Sequence, residues 1–285
     1  MLPYIFVLIA AVLWGTTGTT RMYLQEGISS FAIAGVRSAI GGGLLLIIVI
    51  ILGKLKVRHW SWRWTFLAAI SIALFQGLFF TSIRYSGVAI GTVVTIGSAP
   101  VFSGVIEWLF FKARPTRVWI IATILAIIGC LLLFVHSGEA KVEPLGVLVA
   151  LGAGAMFATY TNVSKELMKR EETLPAVAMT FTLCAILLAP LASMDGVSWV
   201  TVPQNIAPML FMGIATTSVA YVLFLNGLQK INASSAVTLS LAEPLTAALL
   251  GVFWLGEYLS FTSWIGVFLL LSGIVVLTLG SKATD

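Results

Sequence analysis

Apolar stretches of about 18–24 residues alternate with short polar gaps along the whole chain, at the length that carries an α-helix across a bilayer. Ten can be separated: 3–20, 30–52, 64–83, 88–111, 118–136, 145–163, 175–193, 206–228, 233–256 and 262–280. With so little polar sequence between them, backbone amides can be satisfied only inside helices, so the pattern predicts an all-α integral membrane protein with ten transmembrane helices. No gap is long enough for a separate soluble domain. The longest, from Ser164 to Thr173, reads as a link between the two halves.

The charges that remain are unevenly placed. With a cytoplasmic N-terminus, the inner loops hold Lys54, Lys56, Arg58, Arg63, Lys112, Arg114, Arg117, Lys165, Lys169, Arg170 and Lys230, with Lys282 in the tail. The outer loops hold only Arg21, Arg84 and Lys141. Cationic loops stay on the cytoplasmic side, so this alternation predicts a multi-pass protein of the cytoplasmic membrane with both termini inside. The first run, Leu2 to Thr20, lacks a basic leader and is followed closely by a second span, so it reads as the first helix, not a cleaved signal.

An internal repeat appears when the third to fifth spans are laid on the eighth to tenth. Ala89 and Ala233, Pro100 and Pro244, and Gly129 and Gly273 are each separated by 144 positions, as are Phe80 and Phe224. Five spans separate equivalent helices, an odd number, so the two halves run in opposite directions. The expected units are 1–140 and 141–285, two inverted five-helix repeats of the kind that alternates access to a midplane site.

Composition agrees with a bilayer as solvent. The 285 residues are 59% hydrophobic and 9% charged, with a mean hydropathy of +1.06, against roughly a quarter charged in soluble domains. The net charge of +5 lies scattered in loops and forms no basic stripe, which argues against nucleic acid. Cys130 and Cys184 are isolated in apolar runs and read as small packing residues.

Several local features then resemble a known family. They are Trp14-Gly15-Thr16 at the end of the first span, Arg37 in the second, Pro100 and Glu243-Pro244 in the fourth and ninth, and the Gly-rich closing helices around Gly129 and Gly273. Together they resemble the drug/metabolite transporter superfamily in its ten-helix EamA-type branch. The resemblance implies transport of a small metabolite through a cavity between the repeats. One asymmetry stands out: Ser98-Ala99-Pro100 in the first half faces Ala242-Glu243-Pro244 in the second.

Ionisable groups inside a span are costly and point to function. Arg37 and Glu243 are the two that lie well inside; they read as a site for a carboxylate or ammonium, as a structural ion pair, or, for Arg37, as a side chain snorkelling to the outer interface. Glu107 lies close to a span end beside Lys112 and Arg114 and reads as an interface residue within reach of water. Helical spacing groups Gln76, Phe80 and Arg84, then Trp14, Gly18 and Arg21, then Phe157 with Tyr160, Thr217 with Tyr221, and Ser240 with Glu243. The expected substrate-binding set is Trp14, Arg37, Gln76, Phe80, Tyr160, Tyr221 and Glu243. Pro100 and Pro244 are expected hinges, since each removes a backbone donor in mid-helix. Trp60, Trp62, Trp64, Trp119, Trp199 and Trp264 fit an interfacial aromatic belt. The Gly41-Gly42-Gly43 and Gly152-Ala153-Gly154 runs read as close helix contacts.

No nucleotide-binding loop, HExxH or GxSxG motif is present, and the two histidines, His59 and His136, fall outside the apolar spans or at a span end. An intramembrane enzyme is therefore disfavoured, and a channel would not require an inverted repeat. No cofactor and no metal are called for. The expected partners are a small-molecule substrate and the lipid bilayer, with the oligomeric state left open and a monomer as one reading. Arg37 suits a carboxylate, while Glu243 beside aromatic faces suits an amine or quaternary ammonium. Both together suit an amino acid, giving a secondary exporter or exchanger of amino acids or related metabolites, with amine transport as the alternative.

Overall fold

The computed structural model describes residues 1–55, 57–134, 143–194, 196, 198–256 and 258–280. Lys56, His136, Lys141, Lys282 and the expected boundary at 140–141 lie outside these. Ten long helices follow one another: α1 Leu2–Arg21, α2 Ser30–Ile51, α3 Trp62–Gly87, α4 Ile90–Phe111, α5 Arg117–Phe134, α6 Pro144–Leu167, α7 Thr173–Ala192, α8 Pro203–Leu228, α9 Ala233–Leu255 and α10 Phe261–Gly280. Among the described residues, nine of them are long and apolar enough to cross a membrane by length and composition, and α5 is a shorter apolar helix. The fold is that of an all-helical membrane protein with two five-helix halves.

Local chemistry sets the helix boundaries. Pro3 and Pro144 stand in the first turns of α1 and α6, where their missing N–H costs nothing. Ser29 caps α2 by accepting from the amide of Ala32 at 3.1 Å. The turn between α3 and α4 is reduced to Gly87, whose φ of 79° is open to glycine and strained for other residues.

The repeat also appears in how helices end. α4 closes on Lys112 and α9 on Gly256, both in the left-handed conformation with φ 54° and 73°. Their amides donate to the carbonyls of Glu107 and Gly251. Each of these pairs is again 144 positions apart.

The helices pack as α2 on α7, α5 on α10, α3 and α4 on α6, and α1 against α8 and α9. Small residues allow the closest crossings. A Cβ on Gly129 would fall 2.6 Å from the amide of Leu270, and one on Gly273 would fall 2.7 Å from the carbonyl of Ala122, so α5 and α10 meet backbone to backbone in both directions. Gly41, Gly42 and Gly154 are closed in the same way, whereas Gly43 has nothing within 4 Å and Gly152 only the end of Leu78 at 3.4 Å.

The expected tryptophan belt needs correction. Trp60 and Trp199 are buried, Trp60 donates to Thr65 Oγ1 at 2.9 Å, and Trp119 donates to Thr238 Oγ1 at 3.1 Å. The Trp119 bond ties α5 to α9, whereas the Trp60 bond is local and Trp199 Nε1 is buried with no hydrogen-bond partner among the described residues; Trp108 and Trp254 are more exposed than Trp62 or Trp264. The sequence places a tryptophan near a span end without saying whether its ring turns inward or outward.

Candidate functional site

A cavity of about 110 Å³ lies between the halves. α1 brings Trp14 and Thr17; α2 brings Arg37; α3 brings Phe75, Gln76, Phe79 and Phe80; and α4 brings Thr95, Ile96 and Ala99. The second half supplies Phe157 from α6, Tyr221 from α8, and Val237, Ser240 and Glu243 from α9. Its walls are aromatic and apolar, with two ionisable groups set into them.

Arg37 is held by one neighbour. Its Nε and Nη2 both donate to Gln76 Oε1, at 3.3 and 3.0 Å. Gln76 Nε2 in turn donates to Cys184 Sγ at 3.3 Å, and Cys184 reaches Ser38 Oγ at 3.9 Å. This chain of contacts holds the guanidinium through Gln76, and Arg37 forms part of the cavity wall. Among the described residues, Arg37 forms no ion pair.

Glu243 owes its place to a break in α9. Pro244 has no amide to give the carbonyl of Ser240, and the amide of Glu243 takes that carbonyl instead at 2.9 Å. The amide of Leu241 likewise bonds the carbonyl of Thr238 at 3.1 Å, so the ladder tightens by one residue before helix resumes over Ala242–Leu255. Glu243 thus stands in the first turn of a new helical segment, where the positive end of the helix dipole favours its negative charge. Among the described residues, its carboxylate accepts no hydrogen bond and joins no ion pair.

Trp14 is oriented by an irregularity in α8. Residues Met212–Val219 form a π-helical segment, and the indole Nε1 donates to the carbonyl of Thr216 at 3.0 Å. Such segments free backbone groups and recur at functional sites. Trp14 packs with Tyr221 at 4.8 Å, Phe224 at 5.2 Å and the edge of Phe157 at 6.1 Å between ring centroids. With its N–H occupied, Trp14 contributes a ring to the cavity and no free donor.

The model of the EamA-like transporter family matches residues 1–135 and again 144–279. The chain belongs to the EamA-like transporter family. Two matched segments account for nearly the whole sequence, one in each five-helix half. As an EamA-like protein of the drug/metabolite transporter superfamily, it is similar to the uncharacterized transporter YwfM of Bacillus subtilis (strain 168), 47% identical and covering 96% of this chain and 93% of YwfM. It also resembles the uncharacterized inner membrane transporter YicL of Salmonella typhimurium, 28% identical over 97% of this chain and 95% of YicL. Protein PecM of Dickeya dadantii is 27% identical over 95% of this chain and 90% of PecM. A solved crystal structure shares the fold, with a TM-score of 0.86 at 17% identity over 99% of this chain and 98% of its own.

Within this EamA-like fold, Trp14, Arg37, Gln76, Phe80, Tyr221 and Glu243 line this same cavity. Tyr160 is absent from the lining; it is fully buried behind it, with its ring 6.3 Å from Phe157 and 5.9 Å from Tyr221. Arg84 is exposed and lies away from the cavity. The two prolines differ: α9 breaks just before Pro244, whereas α4 runs through Pro100 without interruption.

Sequence reasoning missed Thr17, Phe75, Phe79, Thr95, Ile96, Ala99 and Val237. The repeat offset would have found two of them, because Ile96 and Ala99 stand 144 positions before Ser240 and Glu243. The same faces of α4 and α9 therefore meet at the cavity. Glu107 was also misread as an interface residue open to water: it is 6% exposed and hydrogen-bonded to α9.

Proposed function

We propose that this EamA-like protein is a secondary transporter that exports or exchanges amino acids, or related zwitterionic metabolites, across the cytoplasmic membrane by alternating access. The observation that carries the reading is that Arg37 and Glu243 face one aromatic-walled cavity without pairing. A substrate carboxylate would meet the donors of Arg37, which Gln76 holds in plane. A substrate ammonium would meet Glu243 and the faces of Trp14 and Tyr221, and an apolar side chain would rest against Phe75, Phe79 and Ile96. Because neither charge has a counter-ion among the described residues of the cavity, a ligand carrying both signs gains most from entering it.

The two inverted units, 1–140 and 141–285, would rock about this site, with both termini cytoplasmic, a reading the loop charges support. The energy would come from substrate or ion gradients, since the sequence has no nucleotide-binding loop. A second reading, an amine or quaternary-ammonium carrier, draws support from Trp14, whose occupied N–H leaves its ring to face a cation. Thermal-shift screening of the purified protein against amino acids, amines, carboxylates and sugar nucleotides, followed by counterflow in proteoliposomes, tests both. Stabilisation by zwitterions with counterflow supports the first reading; stabilisation by amines alone replaces it with the second; flux without counterflow makes the protein a channel.

A further inference from the structure

Among the described residues, Glu107 is the one buried carboxylate that the central site does not use. It projects from the last turns of α4, in the first half, onto the first residues of α9, in the second. Its Oε1 accepts from the amide of Ala233 at 2.7 Å, and its Oε2 accepts from the amide of Ser234 at 3.1 Å and from the Ser234 hydroxyl. Asn232, at the N-cap position of α9, makes no side-chain cap of its own. The free amides at the start of α9 are therefore satisfied by a side chain from the opposite repeat. Lys165 closes the group: its Nζ donates to the carbonyl of Ile231 at 2.8 Å and lies 3.9 Å from Glu107 Oε1. Val237, on the cavity wall, is one helical turn further along α9.

The inverted repeat supplies a control for this contact. The offset of 144 that relates α4 to α9 carries Glu107 to Gly251 and Ala233 back to Ala89. The helix ends correspond, but Gly251 has no side chain, so the mirror-image contact at the opposite end of the cavity cannot form. A carboxylate bridging two repeats at one end, opposite a glycine at the other, biases the carrier toward one of its two arrangements.

We propose that Glu107 is the latch of the cytoplasmic gate: by capping α9 across the repeat interface it holds the inner end closed, and its release accompanies inward opening. This rests on the alternating-access reading above. Breaking charge-assisted hydrogen bonds at a buried carboxylate is costly, so loss of the carboxylate shifts the balance of states by about tenfold. The absence of a counterpart at Gly251 makes the outward-open arrangement the resting one for the substrate-free protein.

Two single-cysteine reporters, each introduced after replacing Cys130 and Cys184 with Ala, test the latch. Ser235→Cys, beside it, is labelled from the inner face in inside-out vesicles, and Thr17→Cys, on the opposite part of the cavity wall, is labelled from outside in right-side-out vesicles. In Glu107→Ala, Ser235→Cys labelling should rise about tenfold while Thr17→Cys labelling falls. Unchanged rates at both positions, or a rise at both from a loosened fold, overturn the latch. A rise inside with no change outside upholds the latch but overturns alternating access, because both ends are then open together. Where Glu107→Ala does not fold, Ser234→Ala removes one of the three bonds and gives the same comparison, with an expected rise of about threefold.

Discussion

Arg37 and Glu243 face the same cavity from opposite halves of the chain, yet Arg37 spends two of its donors on Gln76 Oε1 and forms no ion pair with Glu243. A structural pair would have placed the carboxylate against the guanidinium, where each charge would satisfy the other. Here a neutral amide orients the cation, and a break in α9 presents the anion. Each charge is thus positioned by its own half of the protein and not by the other charge.

Replacing Glu243 with Gln keeps the shape and removes the charge. Because the carboxylate supports no other described side chain, the melting temperature in detergent should stay within a few degrees, consistent with a stability change under about 1 kcal/mol. Transport in proteoliposomes should fall at least about tenfold, equivalent to about 1.4 kcal/mol. A collapse in stability of several kcal/mol would show instead that Glu243 balances a buried charge, and a stable, fully active variant would remove it from the site.

The fold was legible because its cause is periodic. Ten apolar runs bounded by charge yield ten helices with ends shifted by at most a few residues, as at Trp62 and Leu167. The cavity was legible only where a residue is chemically conspicuous: a charge, an amide or a large ring inside a span. Ile96, Ala99 and Val237 look like any packing residue, and only the symmetry relating α4 to α9 distinguishes two of them. Tyr160 shows the opposite error, since helical spacing puts it one turn from Phe157 without saying which side of the ring neighbours the cavity. Glu107 was misjudged because its amide partners lie in a helix more than a hundred residues away.

Lys112 ends α4 with φ 54°, whereas its repeat equivalent at the end of α9 is Gly256. The left-handed conformation costs a residue with a Cβ about 1 kcal/mol or more, and glycine nothing. Lys112→Gly should therefore raise thermal stability in detergent by about 1 kcal/mol without changing transport. A lower melting temperature would mean that the lysine side chain contributes more than its backbone costs.

The expected orientation rests on loop charge alone and is open to direct test. Cysteines introduced at Arg114 and Lys169 should be protected from an impermeant thiol reagent in right-side-out vesicles, and one at Glu26 should be labelled. The reverse pattern would invert the protein in the membrane, and with it the side on which the Glu107 latch acts.

The prolines provide the last test, because the repeat places them alike and the helices treat them differently. At Pro244 the ladder tightens over Leu241 and Glu243, and a new segment begins at Ala242. At Pro100 the helix continues, so the lost hydrogen bond is absorbed without a break. Pro244→Ala restores an amide that can bond the carbonyl of Ser240, merging the two parts of α9 and turning Glu243 away from its place in a first turn. Pro100→Ala restores a bond inside a helix that is already continuous. Both variants should fold, but Pro244→Ala should slow counterflow by about tenfold and Pro100→Ala by no more than about twofold. Equal slowing in both would mean that α4 bends as much as α9 during the cycle, and unchanged turnover in both would reduce the two prolines to packing.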